Sequence, residues 1–245
     1  MRRTVKAFLK RIGLLLLVRD LYRAISSHHR KERRLRREFF AQLVKPGDLC
    51  FDIGANLGQT IEALTACGAS VVALEPNTLC LPTLQHKFGK TNNVVIVAKA
   101  VGSAAGIAQL HFNETAATAS LRGDWYADNS QTASTEVVTL EQLIATYGVP
   151  SLLKVDVEGL ETEVFRGLAR PISTIYFELH ARDLASAADV LAHLSQLGTV
   201  KGVNAISEDH GTWLLDSWVP AEQFIPSLPP SMTCCNAIVR MVDPI

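Results

Sequence analysis

Short apolar runs recur along the chain at residues 49–54, 71–75, 94–101, 152–157, 172–179 and 236–242, with stretches of helical spacing between most of them. Runs of that length, rich in Val, Ile, Leu and Phe, fit strands covered on both faces. The alternation predicts an α/β protein built on a doubly wound, mostly parallel, Rossmann-like sheet with helices on both faces. Asn56 with Gln59, and Thr139 with Gln142, have the spacing of capping boxes at helix starts. Gly89 and Gly198 stand where C-terminal caps belong, and Pro82 predicts that the second helix begins late. Two stretches read as loops: the polar residues 113–135 and the segment 219–232, which holds four prolines. Arg122, Trp125 and Tyr126 in the first are candidates for gripping a ligand, and the second would wall the same mouth or stiffen the connection into the last strand.

Ahead of the first strand the pattern is different. Val5, Phe8, Leu9, Ile12, Leu16 and Leu21 recur at near-helical spacing, with Arg2, Arg3, Lys6, Lys10 and Arg11 between them. Residues 1–40 therefore read as a basic amphipathic helical leader and residues 41–245 as one domain. Charge sharpens that division: the net charge is zero, yet residues 1–40 hold 13 Lys or Arg against 3 acids. Such a leader suits an anionic membrane surface, packing on its own domain, or removal, although its apolar stretch 12–18 is short and no small-residue cleavage signal follows. The run 28–37 fits a solvated helix face. It lacks the aromatic interleaving and the motifs of nucleic-acid binding. No run approaches the roughly 18 apolar residues of a membrane span. Cys50, Cys67, Cys80, Cys234 and Cys235 are odd in number and mostly lie in apolar stretches, which favours reduced thiols and a cytoplasmic setting. Cys234 and Cys235 are adjacent, but no second pair stands at metal-ligand spacing, and no metal ligand is expected from them.

The candidate chemistry begins at Phe51-Asp52-Ile53-Gly54-Ala55-Asn56-Leu57-Gly58, a strand entering a glycine turn with an acid one residue before the first glycine. In a parallel sheet, this is where a nucleotide cofactor approaches the carboxyl end of a strand. A dinucleotide would bring its pyrophosphate to Asp52, and like charges about 5 Å apart at an effective dielectric of about 20 repel by about 3 kcal/mol. S-adenosylmethionine, with its sulfonium and ammonium, is attracted instead. Glu75 ends the second run 21 residues beyond Gly54, about where an acid takes ribose hydroxyls. Lys154, Asp156 and Glu158 alternate onto one side of the fourth run, and Tyr176, Glu178 and His180 onto one side of the fifth. If the two strands are neighbours, these groups converge at the sheet edge that binds ligands. Lys154 also fits a buried ion pair with Glu178 or Asp156 that orders the sheet, and Asn56 fits either a helix cap or a cofactor contact. For Asp156, Glu158 and His180, at strand ends beside glycine, a site role is preferred.

The glycine turn, Leu74-Glu75-Pro76-Asn77, Lys99-Ala100-Val101-Gly102, Thr139-Leu140 and Lys154-Val155-Asp156-Val157-Glu158-Gly159 with Glu161 occur in this order. Together they resemble the FkbM family of S-adenosylmethionine-dependent methyltransferases over roughly residues 50–180. The resemblance implies a class I methyltransferase fold, with a seven-stranded sheet whose last strand is antiparallel. It also implies methyl transfer to an oxygen of a small-molecule or glycan acceptor such as a sugar, glycolipid or natural product. On matching positions Asp52, Gly54, Asn56 and Gly58 would line the methionine part, Glu75, followed by Asn77, the ribose, and Ala100 and Val101 the adenine.

Direct displacement onto an acceptor hydroxyl needs a base, for which His180 is expected, with Asp156 or Glu158 serving instead or orienting it. A divalent ion held by Asp156, Glu158 and His180 ranks second. Two other classes remain. A nicotinamide-dependent oxidoreductase is disfavoured by Asp52 and by the spacing Gly54-Ala55-Asn56-Leu57-Gly58, which is not the order G-x-G-x-x-G. A catalytically silent adaptor would keep the fold and dock through its basic leader.

Overall fold

A computed structural model describes residues 27–112, 119–123, 131–207 and 212–242. The apolar positions of the leader from Val5 to Leu21, together with Trp125 and Tyr126, lie outside the described residues. In chain order, helix α1 (Ser27–Phe40) precedes strand β1 (Leu49–Ile53), helix α2 (Gln59–Ala66), strand β2 (Ser70–Leu74), helix α3 (Leu81–Phe88) and strand β3 (Val94–Val97). Four further strands follow: β4 (Ala100–Val101), β5 (Gly106–Phe112), β6 (Ala119–Ser120) and β7 (Gln131–Val138). The chain continues through α4 (Leu140–Tyr147), β8 (Leu152–Val155), α5 (Glu161–Arg166), β9 (Thr174–His180), α6 (Leu184–Leu197), β10 (Thr199–Ile206), α7 (Ala221–Ser227) and β11 (Cys234–Val242).

Seven strands form one sheet in the order β10-β11-β9-β8-β1-β2-β3. The five from β9 to β3 are parallel, and β11 runs antiparallel between β9 and β10. This is the class I methyltransferase arrangement expected from the resemblance. From β1 the chain builds outward to β2 and β3, then returns to the other side of β1 at β8. Strand order therefore reverses between β1 and β8, where an open α/β sheet leaves a crevice at its carboxyl edge.

The alternation of side chains decides what each face carries. Phe51, Ile53, Leu153, Val155 and Phe177 pack against α4, α5 and α6 in the larger core. Cys50, Leu152 and Tyr176 point to the opposite face, where Ile61 and Leu64 of α2, Leu84 and Phe88 of α3, and Phe39 and Phe40 of α1 cover them. Phe40 is fully buried, 5.8 Å from the Tyr176 ring, and Phe39 lies 5.7 Å from the Trp213 ring. The last turn of α1 is thus part of the core, and a boundary after residue 40 passes through packed structure. Further out, α1 carries surface ion pairs such as Arg34 with Glu38 at 2.7 Å. Among the described residues no helix is long and apolar enough to cross a membrane.

Several local expectations change. The run 94–101 divides, β3 joining the main sheet and β4 a second sheet of order β4-β7-β5-β6. Within the expected loop 113–135, residues 119–120 and 131–135 are strand: β6 pairs with β5, and β7 pairs antiparallel with β5. The Thr139–Gln142 capping box forms in both directions. The Asn56–Gln59 box does not, because Gly58 is the N-cap of α2 at φ 83 with no side-chain cap. Pro82 sits in the first turn of α3, where its missing N–H costs nothing. The proline-rich segment contains α7, whose fully buried Phe224 joins the larger core.

We predict that Phe40→Ala lowers the unfolding free energy by about 3–5 kcal/mol, the usual cost of truncating a buried phenylalanine. Arg34→Ala, on the exposed side of the same helix, is expected to leave the midpoint where it is. Urea titration followed by circular dichroism checks both.

Candidate functional site

An open cavity of about 630 Å³ lies at the carboxyl ends of β1, β2 and β8. Gly54 and Asn56 after β1, Glu75 and Pro76 after β2, and Asp156, Val157 and Glu158 after β8 form its walls. Lys99, Ala100 and Val101 close one end, and Leu110, Ser120 and Leu121 of the second sheet line it opposite the main sheet. Of the residues expected around a cofactor, Gly54, Asn56, Glu75, Ala100 and Val101 line this cavity. Asp52, Gly58 and Asn77 stand behind it and are buried. Gly58 packs against α3, where an added Cβ would lie 2.4 Å from the Phe88 ring.

Asp52 and Lys154 are direct cross-strand partners in the β1–β8 register and share one face of the sheet. Lys154 Nζ lies 3.5 Å from Asp52 Oδ1 and 3.0 Å from Asp156 Oδ2. The buried lysine pairs with Asp156, one of the two expected partners, and with Asp52, and its charge also acts on Glu178. Two carboxylates stand against one ammonium in this group, and of the two acids Asp156 lines the cavity while Asp52 stays buried behind it. Backbone contacts bind the same two strand ends together. Asp156 N donates to Ile53 O at 3.0 Å, and a Cβ at Gly54 would stand 1.8 Å from Asp156 O. Gly54, at φ 82, is the residue type that admits this approach.

Glu75 ties the second strand into the turn. Its Oε2 accepts from Asn56 N at 2.7 Å and its Oε1 from Asn77 N at 2.8 Å. Each oxygen keeps a lone pair for a hydroxyl donor. Burial pushes this carboxyl up to about 7 in spite of the two N–H donors. Glu161, pushed up to about 7 for the same reason, accepts from Val157 N at 3.1 Å and Gly159 N at 3.3 Å and so shapes the loop after β8. In that loop Glu158 has φ 56, a left-handed conformation uncommon outside glycine, and its carbonyl accepts from Ser120 Oγ at 2.9 Å. The second sheet thereby holds the loop that carries Glu158. Strained backbone of this kind concentrates at sites of function.

The groups expected to do chemistry divide between two places. Asp156 and Glu158 line the cavity, whereas His180 lies in an adjoining recess with Glu178, Asp183 and Ser186. The Oε2 of Glu178 is 3.0 Å from His180 Nε2, and its Oε1 accepts from Cys234 Sγ at 3.3 Å. Glu178 is pushed up to about 7, first by burial and then by the charges of Asp156 and Glu158. Burial also raises the Cys234 thiol. Arg122, from the expected gripping loop, reaches Asp183 at 3.5 Å. The metal set anticipated from Asp156, Glu158 and His180 is not assembled. Among the described residues, His180 instead groups with Glu178 and Cys234, their ligand atoms all within 4.8 Å of one another. Glu178 lies on the side of its strand that the alternation predicts, whereas its meeting with Cys234 follows only from the β9–β11 pairing.

A profile of the methyltransferase FkbM domain matches residues 52–200. Over 139 residues the chain is 27% identical to the hexuronic acid methyltransferase AglP of Haloferax volcanii, covering 55% of this chain and 56% of that protein. The match thus spans little more than half the length of this curated relative. Among solved structures, the precorrin-6Y C5,15-methyltransferase of Geobacter metallireducens superposes with TM-score 0.45 at 13% identity, covering 86% of this chain and 87% of that one. A TehB-like SAM-dependent methyltransferase of Corynebacterium glutamicum gives TM-score 0.46 at 10% identity over 85% and 88% of the two chains.

Removing Lys154 leaves two acids facing each other beside the core. Lys154→Met is expected to cost about 3–5 kcal/mol of stability, and adding Asp52→Asn to restore most of that loss. A double-mutant cycle by denaturant unfolding measures the coupling, and strictly additive losses would contradict the pairing.

Proposed function

Because the chain belongs to the FkbM methyltransferase family, we propose that it transfers a methyl group from S-adenosylmethionine to a hydroxyl oxygen of a sugar-containing acceptor. The observation that carries this reading is the convergence of Gly54, Glu75, Val101 and Asp156 on one cavity at the reversal of strand order. The chemistry of these residues suits the donor. Glu75 offers one lone pair on each oxygen to a ribose diol, Val101, Leu110 and Leu121 give an apolar slot for adenine, and Asp156 faces the cavity with negative charge for a cationic ligand. The closely packed Gly54 turn leaves backbone rather than side chain against the methionine part. S-adenosylmethionine, when bound, supplies an electrophilic methyl group.

The protein's own task is then to orient an acceptor hydroxyl, exclude water and take a proton. Asp156 Oδ2 accepts from Lys154 Nζ at 3.0 Å, which fixes the carboxyl group at the cavity wall. We assign proton removal to Glu158, which lines the same cavity and is fixed through its backbone by Ser120. His180, first expected in that role, stands in the neighbouring recess bonded to Glu178 and is the second candidate. A sugar acceptor draws support from the name of the relative AglP, a hexuronic acid methyltransferase.

Ribose hydroxyls donate more strongly to Glu75 when it is ionised, so cofactor binding favours loss of its proton. With the carboxyl at about 7, affinity for S-adenosylmethionine is expected to rise by about tenfold from pH 6 to pH 8. Isothermal titration across that range checks the slope, and Glu75→Gln should flatten it. The reaction itself is tested by labelled-methyl transfer onto hexuronic acids, other sugars and extracted glycolipids. Glu158→Gln is expected to keep cofactor binding and to slow transfer by about 10²-fold or more. Cofactor binding without turnover on any acceptor would favour the silent adaptor, and tight NADH binding without S-adenosylmethionine binding would overturn the reading.

A further inference from the structure

We propose that Glu178, His180 and Cys234 form a mononuclear zinc-binding site on the sheet, in the recess beside the cofactor cavity. The three come from two strands locked in register: Cys234 of β11 is paired directly opposite His180 of β9, and Asn236 opposite Glu178. Directly opposed residues of antiparallel strands, and residues two apart on one strand, share a face. Imidazole, thiol and carboxylate therefore project together from rigid backbone and need no loop to assemble them.

Their spacing is close to what an ion requires. Zinc bound tetrahedrally at about 2.0–2.1 Å from nitrogen and oxygen and about 2.3 Å from sulfur separates its ligand atoms by roughly 3.3–3.6 Å. Here Glu178 Oε2 and His180 Nε2 are 3.0 Å apart, and Glu178 Oε1 and Cys234 Sγ 3.3 Å. These two contacts use different oxygens of one carboxylate; with one ligand atom from each residue the three lie within 4.8 Å of one another, and the side chains would draw together to close the tripod. Exposure is intermediate, 21% for the Glu178 side chain and 23% for His180, enough for an ion to enter and for water to hold a fourth position.

Charge favours a cation at this point. The Asp156 and Glu158 carboxylates act on Glu178 from the neighbouring loop, and the nearby Lys154 is bound to Asp52 and Asp156. The mix of ligands selects among metals: a thiolate with an imidazole suits zinc, whereas magnesium and calcium prefer oxygen donors throughout.

The test uses the full chain, kept reduced and stripped of metal, titrated with zinc against a chromophoric chelator and separately with cobalt(II). We expect one zinc ion per chain, no competition from magnesium, and thiolate-to-cobalt charge-transfer absorption. Cys234→Ser should abolish that absorption, and His180→Gln and Glu178→Gln should each weaken zinc affinity by more than the roughly tenfold that follows loss of an outer-shell partner. Cys235→Ser, a change at the buried neighbouring thiol, should leave both signals intact. Failure of the unaltered chain to bind zinc one to one, or a cobalt spectrum unchanged in a folded Cys234→Ser protein, would overturn the proposal. Because the readout is metal binding, either result stands apart from whether the protein transfers methyl groups.

Discussion

The cross-strand contact between Asp52 and Lys154, extended to Asp156, is the constraint on which the rest of the site depends. A lysine with 3% exposure inside a parallel sheet is tolerable only with ionised partners at hand, and its two partners lie at the ends of β1 and β8. Those are the strands between which the sheet changes direction. Binding their ends together, with Gly54 admitting Asp156 O where a Cβ could not fit, sets the floor of the cavity. Glu75 then joins the end of β2 to the same turn through two backbone N–H donors. Three strand ends are thus held by three carboxylates and one ammonium, and of these Asp156 faces the space where a cationic methyl donor would sit.

The small second sheet completes the site from the other side. It carries Leu110, Ser120 and Leu121 over the cavity, and through Ser120 it grips the backbone of Glu158 in a left-handed conformation. The loop that carries Glu158 is thereby fixed between the two sheets. The cavity therefore depends equally on the main sheet, which supplies charge, and on the second sheet, which supplies apolar cover.

The central strands were legible because each is a compact apolar run ended by glycine or an acid, and the ordered motifs from Asp52 to Glu161 pointed to the family. The second sheet was not, since the residues of β7, Gln131 to Val138, hold mostly small and polar side chains that read as loop. Likewise β10 contains Gly202 and Asn204, both poor strand signals, although Asn204 is buried and bonded to Leu215 O. Periodicity gave the face on which Lys154 lies and Asp156 as a partner, but only the register with β1 reveals Asp52. The trio of Glu178, His180 and Cys234 was hidden for the same reason, because Cys234 is 56 residues from Glu178 and meets it only through antiparallel pairing. Asn56 and Gln59 had the spacing of a cap, yet Gly58 at φ 83 turns the chain between them.

The most direct measurement is a crystal structure of the protein grown with S-adenosylhomocysteine. The ribose hydroxyls are expected within hydrogen-bonding distance of the Glu75 carboxylate, with adenine against Val101 and Leu110. An adenosyl ligand bound elsewhere on the chain, or none in the cavity at saturating concentration, would contradict the assignment of this strand-end cleft as the cofactor site.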